Sequence, residues 1–327
     1  MRTASATLQG AVGPAAPADR GTLPKTVHRC VDVGSHMVAV TVRGTRPTPA
    51  SAAAVIVTGA GDCQASWTPA ADLLANHTRV ITYDRAGLGR GRPGPAPTVQ
   101  GYLDELQAVL DACLPEGPYV LVGHSLGGLI ARLHAQQHPD RLAGLVQVDA
   151  TPEQIADDRA VQVGFAVSGV LAHLLRGLAP FGVVRALLRL RALPLYPEQR
   201  TFEARLSAGQ RREWVASVAR SFGLRGAAGA ELRSVLSCAR EARRRTAGVG
   251  RPQFGDLPLV VLTSRAWGEE WVAMHRELAT RSTCSIHRVF DDRRHNIHMA
   301  HPDAVAEAVT SLLRPTSLRP NAGPPPQ

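Results

Sequence analysis

Tyr119-Val120-Leu121-Val122-Gly123-His124-Ser125-Leu126-Gly127-Gly128-Leu129 is the stretch whose reading decides the fold. Four apolar residues, Tyr119 to Val122, read as a buried strand, and a helix-compatible run follows from Leu129. Between them lies Gly-x-Ser-x-Gly. In a strand-to-helix setting that pattern forms a nucleophile elbow, a sharp turn that lifts a serine to the mouth of a sheet. Glycines at 123 and 127 let the chain pack tightly around the turn. Ser125 then sits beside the first amides of a helix, where negative charge is favoured. The pattern without its strand and helix would be weak; the context makes it specific.

Strand and helix signals alternate on both sides of this turn. Thr26 to Val33 and His36 to Val42, joined by Gly34-Ser35, predict an antiparallel hairpin. Strands are expected at 53–58, 79–83, 143–148, 257–263 and 285–289, with helices at 67–76, 99–113, 270–281 and 302–313. A leading hairpin followed by β-α units predicts an α/β fold: a mostly parallel sheet with helices on both faces. Residues 1–24 and 316–327, rich in Pro, Ala and Gly, are expected to be disordered tails. The core is assigned to 25–150 and 256–315. The intervening 151–255 is too long for a connection within a compact domain and is expected to form an inserted helical cap. Within it Val163, Ala166, Val167, Val170, Leu171, Leu174 and Leu175 repeat at i, i+3, i+4, i+7. Such a stripe ordinarily packs against a core, or else lines a substrate pocket.

A chain of 327 residues, 44% hydrophobic and 20% charged, has the composition of a soluble globular protein. Its formal charge of +10 would suit an acidic partner. Yet Lys25 is the only lysine, so the excess is arginine in an Ala-, Gly- and Pro-rich background, and aromatics at 4% leave little for bases to stack on. No nucleic-acid partner is expected. Cys30, Cys63, Cys113, Cys238 and Cys284 are scattered without a C-x-x-C pair, which excludes a zinc knuckle or a disulfide framework. The N-terminus lacks a signal-peptide pattern, so a cytoplasmic location is expected, and no uncharged apolar run has bilayer-spanning length.

A serine hydroxyl needs a base to take its proton. His295 follows the last strand on a short loop and precedes the final helix, which puts it at the same sheet edge as Ser125. His298 is the reserve. The orienting carboxylate should follow a strand directly. Asp149 does so after Val148, whereas the strand ending at Thr263 meets no acid before Glu269 and Glu270. Asp149 is therefore expected to be the acid, with Glu269 or Glu270 in reserve. The oxyanion needs two backbone amides, assigned to Leu126, directly after the serine, and Ala60, in the glycine-rich loop Thr58-Gly59-Ala60-Gly61-Asp62. Neither a metal nor a cofactor is expected.

With these residues in place the chain, over about 27–315, resembles the α/β-hydrolase superfamily, in its capped, esterase-like branch. The resemblance rests on Thr58-Gly59-Ala60-Gly61, Asp84-Arg85-Ala86-Gly87-Leu88-Gly89, the Gly-His-Ser-Leu-Gly-Gly elbow, Val148-Asp149 and His295-Asn296-Ile297-His298. It implies a serine hydrolase acting on an ester, thioester or lactone through an acyl-enzyme. Two departures stand out. Thr58 replaces the histidine of a common His-Gly pair, which bears on how the oxyanion loop is braced. The usual acid after the seventh strand is missing, with Trp267 near its place; some lipases and polyketide-type thioesterases of this fold take it from the sixth strand instead, as Asp149 would allow. A serine at the elbow separates the chain from the epoxide-hydrolase and dehalogenase branches, which use an aspartate. The alternatives are lyase, cyclase or C–C cleaving chemistry at the same site, and a catalytically inactive receptor. An apolar cap implies a small, hydrophobic acyl or ester substrate. Oligomeric state is not legible.

Overall fold

The computed structural model describes residues 26–313 apart from 45–51, 115, 117, 193–195, 249 and 251. The expected disordered tails lie outside the described residues. Eight strands form one sheet: β1 (Val27–Asp32), β2 (Met37–Arg43), β3 (Ala53–Val57), β4 (Val80–Asp84), β5 (Tyr119–His124), β6 (Leu142–Val148), β7 (Leu259–Ser264) and β8 (Ser285–Phe290). Their order is β1-β2-β4-β3-β5-β6-β7-β8. The hairpin β1–β2 is antiparallel, β2 joins β4 antiparallel, and every later pairing is parallel. Parallel strands are buried on both faces, which is why β3, β4, β5 and β7 read as near-continuous apolar runs.

Eleven α-helices are described: α1 (Thr68–Leu74), α2 (Val99–Cys113), α3 (Leu126–Gln137), α4 (Arg159–Leu178), α5 (Val183–Arg189), α6 (Gln199–Glu203), α7 (Ala208–Ser221), α8 (Ala228–Thr246), α9 (Glu269–Ala279), α10 (Ile297–Ala300) and α11 (Pro302–Leu312). Alternate strand residues feed opposite sides of the sheet. Val55, Leu121, Leu145 and Val261 pack with α2, α3 and α9 through Leu106, Leu129, Leu133 and Leu278. Ile56, Val122, Val146 and Leu262 face the other way, onto Leu74 of α1 and Val305 and Val309 of α11. The Thr98 hydroxyl caps α2 by accepting from the Gly101 amide, which fixes where that helix begins.

Helices α4 to α8 lie between β6 and β7, where the sequence places an insertion. They have a separate apolar centre built on Leu188, Tyr196, Phe202, Trp214, Val218 and Phe222. The stripe of α4 corrects the sequence expectation. Val163, Val167, Val170 and Leu174 are 58–62% exposed and Leu171 is 38% exposed, so most of the stripe packs against nothing described. The buried edge is formed by Ala172 and by Leu175, the last residue of the stripe, which meet α8 and the apolar centre of these helices. Periodicity locates an apolar face; it does not say what covers it.

Register explains why the chemistry collects at one edge. Val57 pairs with Gly123, His124 with Val148, and Val148 with Leu262. Thr58, Ser125 and Asp149, just past these positions, and Ser264, the last residue of β7, therefore share the carboxyl edge of the sheet, where open α/β sheets bind their ligands.

Candidate active site

Ser125 stands between β5 and α3 with φ 49° and ψ −121°, a strained conformation for a residue with a side chain. The turn is held from both sides: the Ser125 amide donates to the Val148 carbonyl at 3.2 Å, and the Thr151 amide donates to the Ser125 carbonyl at 3.0 Å. A Cβ on Gly127 would stand 2.1 Å from the Val57 carbonyl oxygen, so only glycine lets the helix approach β3 this closely. The Ser125 hydroxyl lies 3.4 Å from that of Thr151, a neighbour that sequence reading did not single out.

His295 Nδ1 lies 2.7 Å from Asp149 Oδ2, between a quarter-exposed imidazole and a fully buried carboxylate. Asp149 receives three further donors. The Ser264 amide and the Trp271 indole N–H reach Oδ1 at 2.9 and 3.0 Å, and the Ser264 hydroxyl reaches Oδ2 at 2.9 Å. Burial pushes this carboxyl up, but the hydrogen bond and charge of His295, the charge of His275 and the Ser264 amide outweigh it, and the pKa falls below the ordinary aspartate value. Asp149 is thus held as an acceptor that fixes the His295 tautomer with its proton on Nδ1. The Trp267 indole N–H is 3.4 Å from the same nitrogen. The two donors cannot both point at one another, so the shorter contact with the carboxylate sets the tautomer and Trp267 packs against the ring edge, centroids 5.8 Å apart. Glu269 and Glu270, the reserve acids, are exposed, and Glu269 pairs with Arg265.

His298 lies behind the site. It is fully buried, its ring stacked on Trp67 at 4.2 Å and 5°, with Nε2 3.5 Å from Asp62. His124 fills the gap between His298 and His295, with ring centroids 4.6 and 4.8 Å away. Burial, reinforced by their histidine neighbours, lowers the pKa of both His124 and His298, the former strongly, with Asp62 opposing the shift at His298. Asp62, His124 and His298 bring potential metal-ligand atoms within 4.8 Å of one another. His124 Nε2, however, faces the His295 carbonyl at 3.2 Å, and a Cβ on Gly59 would stand 2.7 Å from Nδ1. His124 Nδ1 and both ring nitrogens of His298 are buried without a hydrogen-bond partner among the described residues.

Ala60 lies in the loop after β3 and lines the same cavity as Ser125, and Leu126 stands at the first position of α3, whose amide has no partner within the helix. With Thr58 at the start of that loop, Arg85 braces it. The Arg85 guanidinium donates to the Thr58 carbonyl at 2.8 Å, the Gly59 carbonyl at 2.6 Å and both carboxylate oxygens of Glu231 on α8 at 2.7 and 2.8 Å. Glu231 also accepts from the Gly61 amide at 2.8 Å. The pair is almost fully buried, and burial, which lowers the Arg85 pKa, is outweighed by Glu231. Glu231→Gln would leave Arg85 charged and under-paired; unfolding in denaturant should show a loss of about 3–5 kcal/mol.

A second carboxylate reaches the site from the inserted helices. Glu198, buried at the start of α6, accepts from the Asn296 side chain next to His295. Burial pushes its pKa up to about 7, against the pull of Asn296, His295 and Arg294. The folded chain thus holds a proton there that the unfolded chain, near its ordinary value of 4.5, releases. The contribution is complete below pH ~4.5 and disappears as pH rises through ~7. Wild type should therefore lose more stability across that window than Glu198→Gln, by about 3 kcal/mol at most, read as the difference between their unfolding free energies at each pH.

Ser125, His295, Ala60 and Trp267 line one cavity of about 350 Å³, together with Phe165 and Ser168 of α4, Tyr196 and Phe222. Its walls are largely apolar, with the polar groups gathered at the sheet edge. The geometry suits attack by a hydroxyl on an electrophilic carbon, with proton transfer through an oriented imidazole.

A family model described as "Alpha/beta hydrolase family" matches residues 54–308. Over 129 residues, 38% of this chain, the sequence is 33% identical to a "Probable transporter efuK" of Hormonema carpetanum, and over 107 residues, 32% of this chain, it is 37% identical to a "Putative carbamate hydrolase RutD" of Yersinia enterocolitica. These matches span only 18% and 38% of the two relatives' own lengths. Among solved structures, an epoxide hydrolase, CorEH without ligand, superposes with a TM-score of 0.66 at 14% identity, covering 89% of this chain and 100% of its own.

Proposed function

This chain belongs to the alpha/beta hydrolase family, and from that premise we propose that it is a cofactor-free serine hydrolase that cleaves a carboxylic ester, thioester or lactone through an acyl-enzyme. Ser125 Oγ attacks the carbonyl carbon as its proton passes to His295 Nε2; Asp149 holds the opposite ring nitrogen and stabilises the imidazolium. The Ala60 and Leu126 amides receive the oxyanion. Collapse of the tetrahedral adduct breaks the bond to the leaving group, which takes the proton from His295. A water molecule, deprotonated by the same imidazole, then attacks the acyl-serine, releasing the acid and restoring the serine.

The observation that carries this reading is the contact of 2.7 Å between His295 and a carboxylate held by four donors, in a cavity that Ser125 also enters. RutD is named a putative carbamate hydrolase, and a carbamate, like an ester, is cleaved at a carbonyl carbon. CorEH is named an epoxide hydrolase, but here the elbow bears a serine and no acid. In this reading 151–255 is the cap over a core formed by 25–150 and 256–315. The apolar cavity wall favours a hydrophobic acyl or alcohol part. The five cysteines, scattered without a C-x-x-C pair, fit a reduced, cytoplasmic setting. A screen across p-nitrophenyl esters, acyl-thioesters and lactones, with Ser125→Ala as the blank, tests it. Turnover of at least one class above the blank is expected, and a complete screen with no turnover above it would count against the reading.

A further inference from the structure

We propose that α4 and the turn after it form a docking face for an anionic lipid surface, on which the protein lies without crossing the bilayer. The apolar row Val163, Val167, Val170, Leu174, Leu178 and Phe181 runs along one edge of α4 and its 3-10 extension; all six are exposed, Phe181 by 81%. At 100° per residue they fall within one arc, so they form a continuous face and not a scatter of single apolar residues. Leu190 and Leu224, 76% and 55% exposed, add apolar side chains from α5's end and the turn after α7.

The charge carried by the segment from α4 through α5 has one sign. Residues 159–192 contain five arginines, Arg159, Arg176, Arg185, Arg189 and Arg191, and no acid. At the C-terminal end of the face lies a groove of about 420 Å³ lined by Pro180, Arg185, Arg220, Leu224 and Arg225, with no acidic side chain among the described residues that line it. Arg220 is anchored there by donating to the Gly89 carbonyl and to Glu213, while Arg185 and Arg225 are exposed. An apolar strip flanked by arginines, of which Arg191 and Arg220 are paired with Glu203 and Glu213, has the composition of a helix that lies in a headgroup layer. Self-pairing of the face in a dimer would set arginine against arginine, whereas anionic headgroups complement it.

Geometry distinguishes lying from spanning. The stretch Val161–Phe181 is long and apolar enough to cross a membrane, but the opposite edge of α4 is committed. Ala172 and Leu175 are buried, and Phe165 and Ser168 line the cavity that holds Ser125. Gly182, at φ 73°, turns the chain back into α5, whose Val184 and Leu188 are buried in the cap. Only one side of the helix is available to lipid, to the depth of its side chains.

The full-length protein should cosediment with vesicles of equimolar phosphatidylcholine and phosphatidylglycerol, and about tenfold less with phosphatidylcholine alone. Arg185→Glu/Arg225→Glu should weaken binding to the mixed vesicles by at least about tenfold, as should high salt. Val167→Asp/Leu174→Asp, at solvent-exposed positions, should reduce it by at least about tenfold with an unchanged circular dichroism spectrum, and the milder Val170→Ser/Leu178→Gln should follow in the same direction. Failure of wild type to bind mixed vesicles, or binding indifferent to all three pairs of substitutions, would overturn the proposal. So would a dimer of wild type in sedimentation velocity that Val167→Asp/Leu174→Asp converts to monomer, because the face would then belong to a second copy.

Discussion

Ser125→Ala is expected to lower turnover by up to ~10⁶-fold on whichever ester, thioester or lactone the wild type accepts. The magnitude follows from the chemistry assigned to the elbow. Without the hydroxyl no acyl-enzyme can form, and what remains is binding plus the pull of the oxyanion amides on a carbonyl attacked directly by water. Stability should change little. The side chain contributes one contact of 3.4 Å to Thr151, and the fold around it is held by backbone bonds from Val148 and Thr151 that alanine retains. The strained backbone at φ 49° is unaltered in kind, since alanine and serine meet the same steric limits there. Kinetics and a thermal unfolding scan on the same preparation check both halves. Loss of activity with an unchanged transition is expected; retention of turnover would remove Ser125 from the chemistry.

Asp149→Asn is expected to cost about 10⁴-fold in turnover, with substrate binding retained. The four donors that hold Asp149 make this more than the loss of a charge. An asparagine oriented to keep the Ser264 and Trp271 bonds at Oδ1 would turn its amide N–H toward His295 and the Ser264 hydroxyl. That selects the tautomer with a bare Nδ1 and a protonated Nε2, which cannot accept a proton from Ser125. Glu269→Gln and Glu270→Gln should stay near wild type, because both side chains are exposed and Glu269 is engaged by Arg265. Equal loss in Glu269→Gln and none in Asp149→Asn, measured as kcat and KM separately, would move the acid to the end of β7.

The sheet was legible because its signals are local. Continuous apolar runs punctuated by turns locate buried parallel strands, and Gly-x-Ser-x-Gly is a contiguous pattern. The contact of Asp149 with His295, and the opening of Ser125 into the cavity that His295 lines, were legible as well, since each residue directly follows a strand or its short loop and parallel order brings strand ends together. What supports them was not. Ser264 and Trp271 hold Asp149 from 115 and 122 residues away, and Glu231 reaches Arg85 across 146. No spacing rule connects such positions, although Asp149 follows β6 and Ser264 ends the neighbouring β7, so they could have been paired once strand order was known. Arg85 was quoted within the Asp-Arg-x-Gly stretch, yet its role depends on a partner in α8. The outward stripe on α4 shows the same limit: the 3.6-residue period is identical whether a face meets protein, lipid or water.

The most direct test of the central claim is rapid-quench intact mass spectrometry of the wild-type protein mixed with an activated ester it turns over, followed by peptide mapping. A transient mass increase equal to the acyl group, carried by the peptide containing Gly123 to Gly127 and placed on Ser125, is the expected result, together with its absence in Ser125→Ala. Turnover without any acyl adduct during the pre-steady-state phase, or an adduct that forms equally on Ser125→Ala, would contradict the account.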